Sequence, residues 1–448
     1  MTDTMDRRSF VRQGGSAFLG LTGLTACSVA RHSTPVGDPL LPADDPLRVA
    51  VMGVNSRGNE LAKSCARVGA RVQYICDVDA RAVQQTVADV TTMQEHTPTG
   101  ITDFRRALDD PALDALVIAA PDHWHAPASL LALQAGKHVY VEKPCSHNPH
   151  EGELLVEAQQ RYGRVVQMGN QQRSSPASID VIGQIREGII GRPYFARAWY
   201  GNTRGSIGRG GAAPVPDWLD YELWQGPAPR MPYRDNVVHY NWHWFWHWGT
   251  GEICNNGTHE IDVCRWALGV DFPTKVTSAG GRYHFDDDWE CPDTQVASFE
   301  FASGATISWE GRSCNGRPIE NRGRGASIHG TAGTAIIDRS GYVIYDLDNN
   351  EVARRIQGET VDSLDTRGGG SLTDLHLANF LAAIRGEAHP TAPIDEGHTT
   401  QLLCHLGNIA QRTGSALRCD TQTGRILGNA DAMALWSREY EPGWEAQV

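Results

Sequence analysis

Residues 47–58 read LRVAVMGVNSRG, an apolar run that leads directly into a glycine-containing turn. An uninterrupted apolar run is typical of a buried parallel strand, and the pattern of residues 59–68 predicts a helix after the turn. Strand, turn and helix match the dinucleotide-binding fingerprint G-x-G-x-x-G, with Asn55 in place of the second glycine. Gly53 would allow the tight turn, and Gly58 would allow close packing of the helix. Because Asn tolerates left-handed backbone better than other non-glycine residues, we expect the turn to survive.

The next predicted strand, residues 71–76, ends at Asp77, which follows Gly53 by 24 residues. The fingerprint places a carboxylate at about this distance, where it binds the ribose 2′-hydroxyl and would repel a 2′-phosphate. Backbone N–H groups at the helix start, around Ser56 and Arg57, would bind the pyrophosphate. The sequence therefore predicts NAD, rather than NADP, as the cofactor.

Further buried strands at residues 115–120, 138–141 and 165–168 alternate with helical segments. This alternation predicts an α/β Rossmann domain with a doubly wound parallel sheet, whose ligand lies at the carboxyl ends of the strands. Polar residues gather at those ends, in PDHWH at 121–125, EK at 142–143 and GNQ at 169–171.

The elements GVNSRG, CDVD, PDHWH, GKHVYVEKP and MGNQ resemble the glucose-fructose oxidoreductase, inositol dehydrogenase and rhizopine-catabolism (Gfo/Idh/MocA) family over residues 47–172. The resemblance implies hydride transfer to or from a sugar, with Lys143 beside both the nicotinamide and the reacting hydroxyl. A lysine in such a cleft would have a lowered pKa, which suits a proton acceptor. The predicted cofactor-binding residues are Gly53, Asn55, Ser56, Arg57, Gly58, Asp77, Pro121, His125, Glu142, Lys143 and Asn170.

The second half of the chain has a different pattern. From residue 193, short strands with alternating polarity are separated by glycine turns, which predicts a largely antiparallel open sheet with one exposed face. This is similar to the C-terminal α/β domain of the family, which implies substrate binding and a homo-oligomer. The predicted strands are 194–200, 275–283, 294–301, 305–310, 326–329 and 334–337, and helices at 372–385 and 396–413 are expected to pack back across the domains.

Residues 239–262 read HYNWHWFWHWGTGEICNNGTHEID and concentrate aromatic and histidine side chains. Tryptophan faces suit stacking on a pyranose ring, so we expect Trp242 to contact a sugar, with His243 and His247 as hydrogen-bond partners. The alternative is an aromatic wall of the core. If the segment were a helix, His239 would share a face with both other histidines, a spacing that could hold a metal. A sugar pocket accounts for the histidines equally well, and no metal is predicted.

A predicted helix at about residues 252–266 places Asn255, His259 and Asp262 on one face. This stretch resembles the second signature of the family, which implies that His259 acts with Lys143 as acid and base on the reacting hydroxyl. Asn255 stands where many members have Asp. Since an amide cannot accept a proton, Asn255 would orient the substrate, as would Asp262.

The whole chain has 448 residues, is 40% hydrophobic and 21% charged, and has a net charge of −13. These values exclude a largely disordered chain, argue against a nucleic-acid partner and favour a neutral or cationic small-molecule partner. The family resemblance implies that this small molecule is a carbohydrate. Cys27 apart, the nine cysteines show no CxxC or zinc-ribbon spacing, so we expect mostly free, buried thiols rather than a disulfide framework.

The N-terminus reads as an export signal. Arg7 and Arg8 form a twin-arginine motif, and the apolar stretch at residues 14–26 is too short to span a bilayer. Cys27 ends a lipobox-like sequence, so we expect a periplasmic protein or a lipoprotein that meets the membrane only through its signal or lipid anchor. The predicted segments are a signal at 1–30, a linker at 31–46, the NAD-binding domain at 47–172 and the C-terminal domain at 173–448.

Three functions remain open on this evidence. The first is a sugar oxidoreductase with tightly bound NAD, redox-neutral because an exported enzyme meets no pool of free NAD. The second is an NAD-dependent glycosidase or lyase, in which transient oxidation acidifies a neighbouring C–H. Known glycosidases of this kind lack a lysine at the EKP position, so Lys143 favours the first. The third is a non-catalytic sugar-binding lipoprotein, which would release no nucleotide on heat denaturation.

Overall fold

The computed structural model of the protein describes residues 45–356 and 371–448. The predicted signal, Cys27 and nearly all of the predicted linker lie outside the described residues. Within the described part of the chain, no helix combines the length and the apolar character that crossing a membrane would require. The nine cysteines of the described residues are all free, and Cys314 is the only one of them that is not buried.

The first sheet has six parallel strands in the order β3-β2-β1-β4-β5-β6. The predicted doubly wound Rossmann sheet is therefore confirmed. The strand order reverses between β1 and β4, and ligands of such sheets bind outside the carboxyl ends at this position. The strands are β1 Arg48–Met52, β2 Arg71–Cys76, β3 Thr99–Ile101, β4 Ala115–Ile118, β5 His138–Val141 and β6 Val166–Met168, and the helices are α1 Arg57–Arg67, α2 Ala80–Thr91, α3 Arg105–Leu108, α4 Asp122–Gln134 and α5 Pro149–Tyr162.

The turn between β1 and α1 depends on two glycines. Gly53 has a φ of +82°, and a Cβ on it would lie 2.5 Å from the backbone nitrogen of Ala120. A Cβ on Gly58 would lie 2.2 Å from the carbonyl oxygen of Gly53. Asn55 is exposed and does not adopt left-handed backbone, so the turn forms without the conformational tolerance that we invoked for it.

The second sheet has ten strands in the order β14-β13-β12-β11-β7-β10-β9-β8-β15-β16. Its neighbouring strands are antiparallel apart from the parallel pair of β7 and β10, which confirms the predicted largely antiparallel sheet. The strands are β7 Pro193–Gly201, β8 Lys275–Gly281, β9 Thr294–Glu300, β10 Thr306–Arg312, β11 Arg324–Gly330, β12 Gly333–Asp338, β13 Gly341–Asp346, β14 Glu351–Ile356, β15 Leu417–Cys419 and β16 Ile426–Leu427.

Six further helices accompany this sheet: α6 Pro176–Arg186, α7 Tyr221–Gln225, α8 Thr258–Leu268, α9 Ser371–Ile384, α10 Ile394–Thr413 and α11 Ala430–Met433. One face of the sheet, with Phe299, Ile307 and Trp309 fully buried, packs in a core shared with α8 and α10.

The late helix α9 returns to the first domain, as predicted from the sequence. Asp374 accepts hydrogen bonds from Ser64 at 2.5 Å and from Arg67 at 2.9 Å, both on α1. Leu377 and Phe380 of α9 are buried in the core of the first sheet. The two domains therefore pack through a helix that is distant in sequence, which fixes the cleft between them.

Candidate active site

The carboxyl ends of β5 and β6 face the start of α8 across the cleft. Lys143, two residues after β5, donates a hydrogen bond from Nζ to Oδ1 of Asn255 at 2.8 Å. Asn255 belongs to a π-helical turn, Ile253–Gly257, and His259 is the second residue of α8 that follows it. The structure thus brings together Lys143, Asn255 and His259, which the sequence analysis had assigned to one site.

Lys143 has an unusual electrostatic environment. Desolvation in the cleft lowers its pKa to about 8, although the carboxylates of Glu142 and Asp122 act in the opposite direction. Arg339 and Arg324 lower it further. At a mildly alkaline pH the amine is therefore neutral and able to accept a proton.

His259 is buried, with 5% of its surface exposed. Burial lowers its pKa well below the ordinary value, and the positive charges of Arg339 and Lys143 act in the same direction. Its imidazole makes no hydrogen bond within the described residues. A neutral imidazole with both ring nitrogens open is suited to bind a substrate hydroxyl.

Behind Asn255 lies a buried carboxylate that the sequence analysis missed. Asn255 Nδ2 donates to Oε1 of Glu252 at 3.4 Å, and Asn256 Nδ2 donates to the same oxygen at 2.5 Å. Arg204 and Ser313 donate to the other oxygen, each at 2.9 Å. This network turns the amide so that its oxygen, rather than its nitrogen, faces Lys143. The only sequence signal for Glu252 was its position as an acidic residue one turn before Asn255 in the predicted helix.

Asp122 is a second carboxyl group that the sequence analysis left unassigned, although it lies in the quoted PDHWH motif. It begins α4 directly after Pro121, and its Oδ2 accepts a hydrogen bond from Thr250 at 2.6 Å. Burial raises its pKa to about 7, against the lowering effect of Thr250 and Lys143. Asp122 thus changes protonation near neutral pH, close to the amine of Lys143.

The predicted cofactor residues line the carboxyl edge of the first sheet. Asp77 accepts a hydrogen bond from the N–H of Val54 at 2.6 Å and another from that of Asp79 at 2.9 Å, which fixes the carboxylate beside the turn. Ser56 is the N-cap residue of α1 but makes no side-chain capping bond, so its hydroxyl does not occupy the helix N-terminus, where a phosphate would bind.

Glu142 joins the cofactor side of the cleft to Lys143. It accepts hydrogen bonds from Arg57 at 3.0 Å and from Gln171 at 2.8 Å. Burial alone would raise the pKa of Glu142, but the charges of Arg57 and Lys143 outweigh it and lower that pKa. The carboxylate is therefore ionised and holds Arg57 against the strand ends.

Two buried polar side chains at this edge have unsatisfied hydrogen-bonding groups. Neither the oxygen nor the nitrogen of the Asn170 amide has a partner within the described residues, and the same is true of Nε2 of His125. His125 Nδ1 bonds to the carbonyl oxygen of Pro144 at 2.5 Å. Buried polar groups normally have hydrogen-bond partners, so these atoms are positioned to bond to a ligand. With the close backbone approach at Gly53, the residues present fit a dinucleotide.

The segment around the four tryptophans is not the helix that a shared face of its histidines would require. It forms only a short 3₁₀ turn, Asn241–Trp244. No helix forms here, because successive aromatic rings are buried in different directions. Trp244 stacks on Trp289 with ring centroids 3.9 Å apart, whereas Trp248 packs edge-on against Trp224 with ring centroids 5.3 Å apart.

The three histidines of this segment consequently point to separate partners. His239 bonds to Asp79 at 2.9 Å, and His247 bonds to the carbonyl oxygen of Pro229 at 2.7 Å. His243 alone is an electrostatic neighbour of Lys143. The three histidines therefore do not share a helical face, and His247 is directed away from the site. No group of three potential metal ligands occurs in the described part of the chain.

Trp242 and Asp262 are also placed differently from the prediction. Trp242 is 8% exposed, and its ring stacks on that of His243 at 3.6 Å, so it forms part of an aromatic core wall. Asp262 accepts hydrogen bonds from Arg173 at 2.8 and 2.9 Å and from Thr400 at 2.7 Å. Both of its oxygens are committed to these partners, which makes Asp262 a structural residue rather than a substrate contact.

Fold and site together define an NAD-binding oxidoreductase of two α/β domains. Residues 47–170 match the family model described as oxidoreductase family, NAD-binding Rossmann fold, and residues 228–417 match the model described as oxidoreductase family, C-terminal alpha/beta domain. The chain belongs to the Gfo/Idh/MocA oxidoreductase family.

Solved structures of similar fold include sugar dehydrogenases. A levoglucosan dehydrogenase in complex with NADH and levoglucosan is 19% identical, with a TM-score of 0.65 over 84% of this chain and 99% of that chain. An aldose-aldose oxidoreductase from Caulobacter crescentus, complexed with glycerol, is 18% identical, with a TM-score of 0.62 over 84% of this chain and all of that chain (100%).

Among curated proteins, a glycosyl hydrolase family 109 protein from Shewanella sp. strain W3-18-1 is 26% identical over 208 residues. The match covers 43% of this chain and 45% of the relative, so the chain spans about half the length of the curated relatives it matches.

Proposed function

We propose that the protein is an NAD-dependent oxidoreductase that transfers a hydride between the nicotinamide and a CH–OH carbon of a sugar or sugar derivative. The observation that carries this proposal is the contact of Lys143 with Asn255, with His259 in the next turn, at the carboxyl edge of an NAD-binding sheet. The sugar dehydrogenases of similar fold support the same class of substrate.

The bound nicotinamide supplies the hydride acceptor, and the side chains of the cleft manage the proton. Lys143, neutral above its pKa of about 8, accepts the hydroxyl proton. Asn255 holds the amine through its carbonyl oxygen, and Glu252 holds Asn255. The neutral imidazole of His259 binds the same hydroxyl and orients it. His243, on the same side of the cleft, contacts the remainder of the sugar.

The direct test is to follow a deuterium label. Sugars deuterated at each ring carbon in turn are incubated with the purified protein, and the bound nucleotide is then released by denaturation and examined by mass spectrometry. Label in the released NADH from one sugar position identifies the reacting carbon. A protein that releases no nucleotide, or that neither labels it nor converts any sugar of a broad panel, contradicts the proposal and favours a sugar-binding lipoprotein.

A glycosidase that uses transient oxidation is the second candidate, and the likeness to a glycosyl hydrolase family 109 protein favours it. Such an enzyme would use the same hydride transfer but would release a free sugar and an alcohol from a glycoside. Product analysis on aryl and alkyl glycosides separates the two candidates, because an oxidoreductase leaves the glycosidic bond intact.

The proposal includes export of the folded, NAD-loaded protein. It rests on Arg7, Arg8 and Cys27 of the sequence. Replacement of both arginines by lysine should retain the precursor inside the cell. Cys27→Ala should move the mature protein from the membrane fraction to the soluble fraction, and unchanged fractionation would remove the lipid anchor from the proposal.

A further inference from the structure

Two arginines of the second sheet lie side by side over the start of α8. Ala326 of β11 pairs with Ile337 of β12 in antiparallel register. Two residues further along, Arg324 at the start of β11 and Arg339 just after β12 come opposite each other on the same face. Ala326 and Ile337 are buried in the core that includes Ile261 of α8, so both arginines lie on the helix-covered face.

Neither arginine has a full set of partners. Arg324 donates from Nε to Glu260 at 2.8 Å and from Nη1 to Asn256 at 3.2 Å, but its buried Nη2 has no partner within the described residues. Arg339 makes no hydrogen bond and no ion pair in the same part of the chain. The carboxylates that attract Arg339, Glu260 and Glu142, are each already bonded to another arginine.

Both arginines lie near the reaction site, since Arg324 donates to Asn256 and Glu260, the sequence neighbours of Asn255 and His259. Arg339 and Arg324 both lower the pKa of Lys143, and both lower the pKa of His259. Desolvation and the repulsion from Arg324 lower the pKa of Arg339 itself. Within the described residues, the amine of Lys143 bonds to an amide and to no carboxylate, so no acidic side chain in direct contact neutralises its charge.

We propose that Arg324 and Arg339 form a subsite for an anionic group carried by the sugar, so that the substrate is a sugar acid or a sugar phosphate rather than a neutral sugar. The guanidinium fork matches the oxygens of a carboxylate or a phosphate in pairs. An anion there would satisfy Nη2 of Arg324 and the whole of Arg339. This inference rests on the proposed function, because it assigns the substrate class of the same site.

The test compares matched glycosides in the gluco, galacto and manno series: the neutral methyl hexopyranoside, its uronate and its phosphate ester. We expect kcat/KM for one charged form to exceed that of the neutral parent by about tenfold or more. Measured on the alkaline plateau of the pH–rate profile, Arg339→Met should lower kcat/KM for that form by about tenfold or more beyond any change that it causes with the neutral sugar, and it should leave the NADH affinity within about twofold. Arg354→Met, on exposed β14, is the matched control and should change neither.

The preferred charged form, uronate or phosphate, identifies the source of the anion. A neutral sugar that reacts as fast as both charged forms would overturn the subsite. It would also be overturned if Arg339→Met weakened NADH binding or slowed charged and neutral sugars equally, since Arg339 would then serve the cofactor or the fold. If no sugar of any charge is converted or labels the cofactor, the proposed function itself fails, which is a different result from a preference for neutral sugars.

Discussion

The buried environment of Lys143 disfavours the protonated, charged form of its amine. Desolvation lowers its pKa to about 8, and its hydrogen-bond acceptor is the neutral amide of Asn255. A proton acceptor must be deprotonated, so the rate of sugar oxidation should rise with pH up to about 8 and then level off. Lys143→Met should abolish this rise and lower turnover by about 10² or more, while NAD occupancy stays unchanged. Measured pH–rate profiles check both points.

Lys63→Met provides the matched control, because Lys63 lies on α1 and pairs only with Glu60 in the same helix. Its profile should be that of the unmodified protein. If Lys143→Met keeps the rise, the titrating group is another one, and Asp122, with a pKa of about 7, would be the next to replace.

Asn255 is a neutral hydrogen-bond acceptor for Lys143, so it contributes no negative charge that would raise the pKa of the lysine. Asn255→Asp would place a carboxylate at the hydrogen-bond acceptor of Lys143, and an opposite charge at this distance raises a lysine pKa. The rise in the pH–rate profile should therefore move to higher pH by about one unit. Asn255→Ala, which removes the acceptor without adding charge, should not move it upward. An unchanged midpoint in Asn255→Asp would mean that Lys143 is not the group that titrates.

At the level of single residues, sequence motifs predicted which residues lie together in the candidate site but not what surrounds them. Lys143 and His259 could be assigned because each lies in a short motif with a fixed chemical role. Arg324 and Arg339 could not, because their proximity depends on the register of β11 and β12, which no local pattern specifies. Asp262 was misassigned because its partner, Arg173, comes from a distant segment.

Helix α8 is anchored to the segment after β6 by a buried ion pair. Asp262 and Arg173 are joined at 2.8 Å, with side chains 2% and 7% exposed. Burial alone would raise the pKa of Asp262, but Arg173 and its other partners outweigh it and lower that pKa. Removal of Asp262 leaves the buried Arg173 with the half-exposed Glu396 at 3.3 Å in place of its close buried partner, so Asp262→Ala should lower the free energy of unfolding by about 3 kcal/mol in urea denaturation.

The pH dependence of this loss follows from the lowered pKa. The ion pair stabilises the fold fully at pH values above about 3.9, the ordinary pKa of the carboxyl group. Its contribution decreases as the pH falls through the lower pKa that Asp262 has in the folded protein. The difference between Asp262→Ala and the unmodified protein should thus narrow below about pH 4. Glu351→Ala, in an exposed pair with Arg354, should cost less than about 0.5 kcal/mol. A raised KM for the sugar without loss of stability would restore Asp262 as a substrate contact.

At the level of elements, sequence periodicity predicted strands and helices that bury one regular face. It did not predict segments whose side chains are buried against several different neighbours. Most strands of both sheets followed from apolar runs and from alternation, whereas the edge strands β3 and β14 and the short strands β15 and β16 were not predicted. The segment around Trp244 did not, because its rings pack against Trp289 and other distant residues. Strand β13 was missed although GYVIYD is apolar, since it follows β12 after a very short turn.

On the scale of the whole molecule, the site exists only where the two domains meet. Lys143 comes from the first sheet and Asn255 from the second domain, 112 residues later. Helix α9 then crosses back and binds α1 through Asp374. Because the predicted cofactor and substrate residues are on opposite sides of this cleft, NAD and the proposed sugar would both stabilise the packed arrangement of the domains when bound.

The proposed export of the protein has a consequence for its overall reaction. Outside the cytoplasm no pool of free NAD is expected, so a hydride left on the cofactor has no soluble acceptor, and dissociation of NADH would be an irreversible loss. Turnover should therefore be redox-neutral. Purified protein given its sugar without added NAD should make product over many turnovers with no net gain in NADH absorbance. One equivalent of NADH followed by arrest, relieved by free NAD, would refute this cycle. Deuterium retained in the same sugar would indicate internal return of the hydride, whereas deuterium in a second sugar would indicate exchange between two substrates.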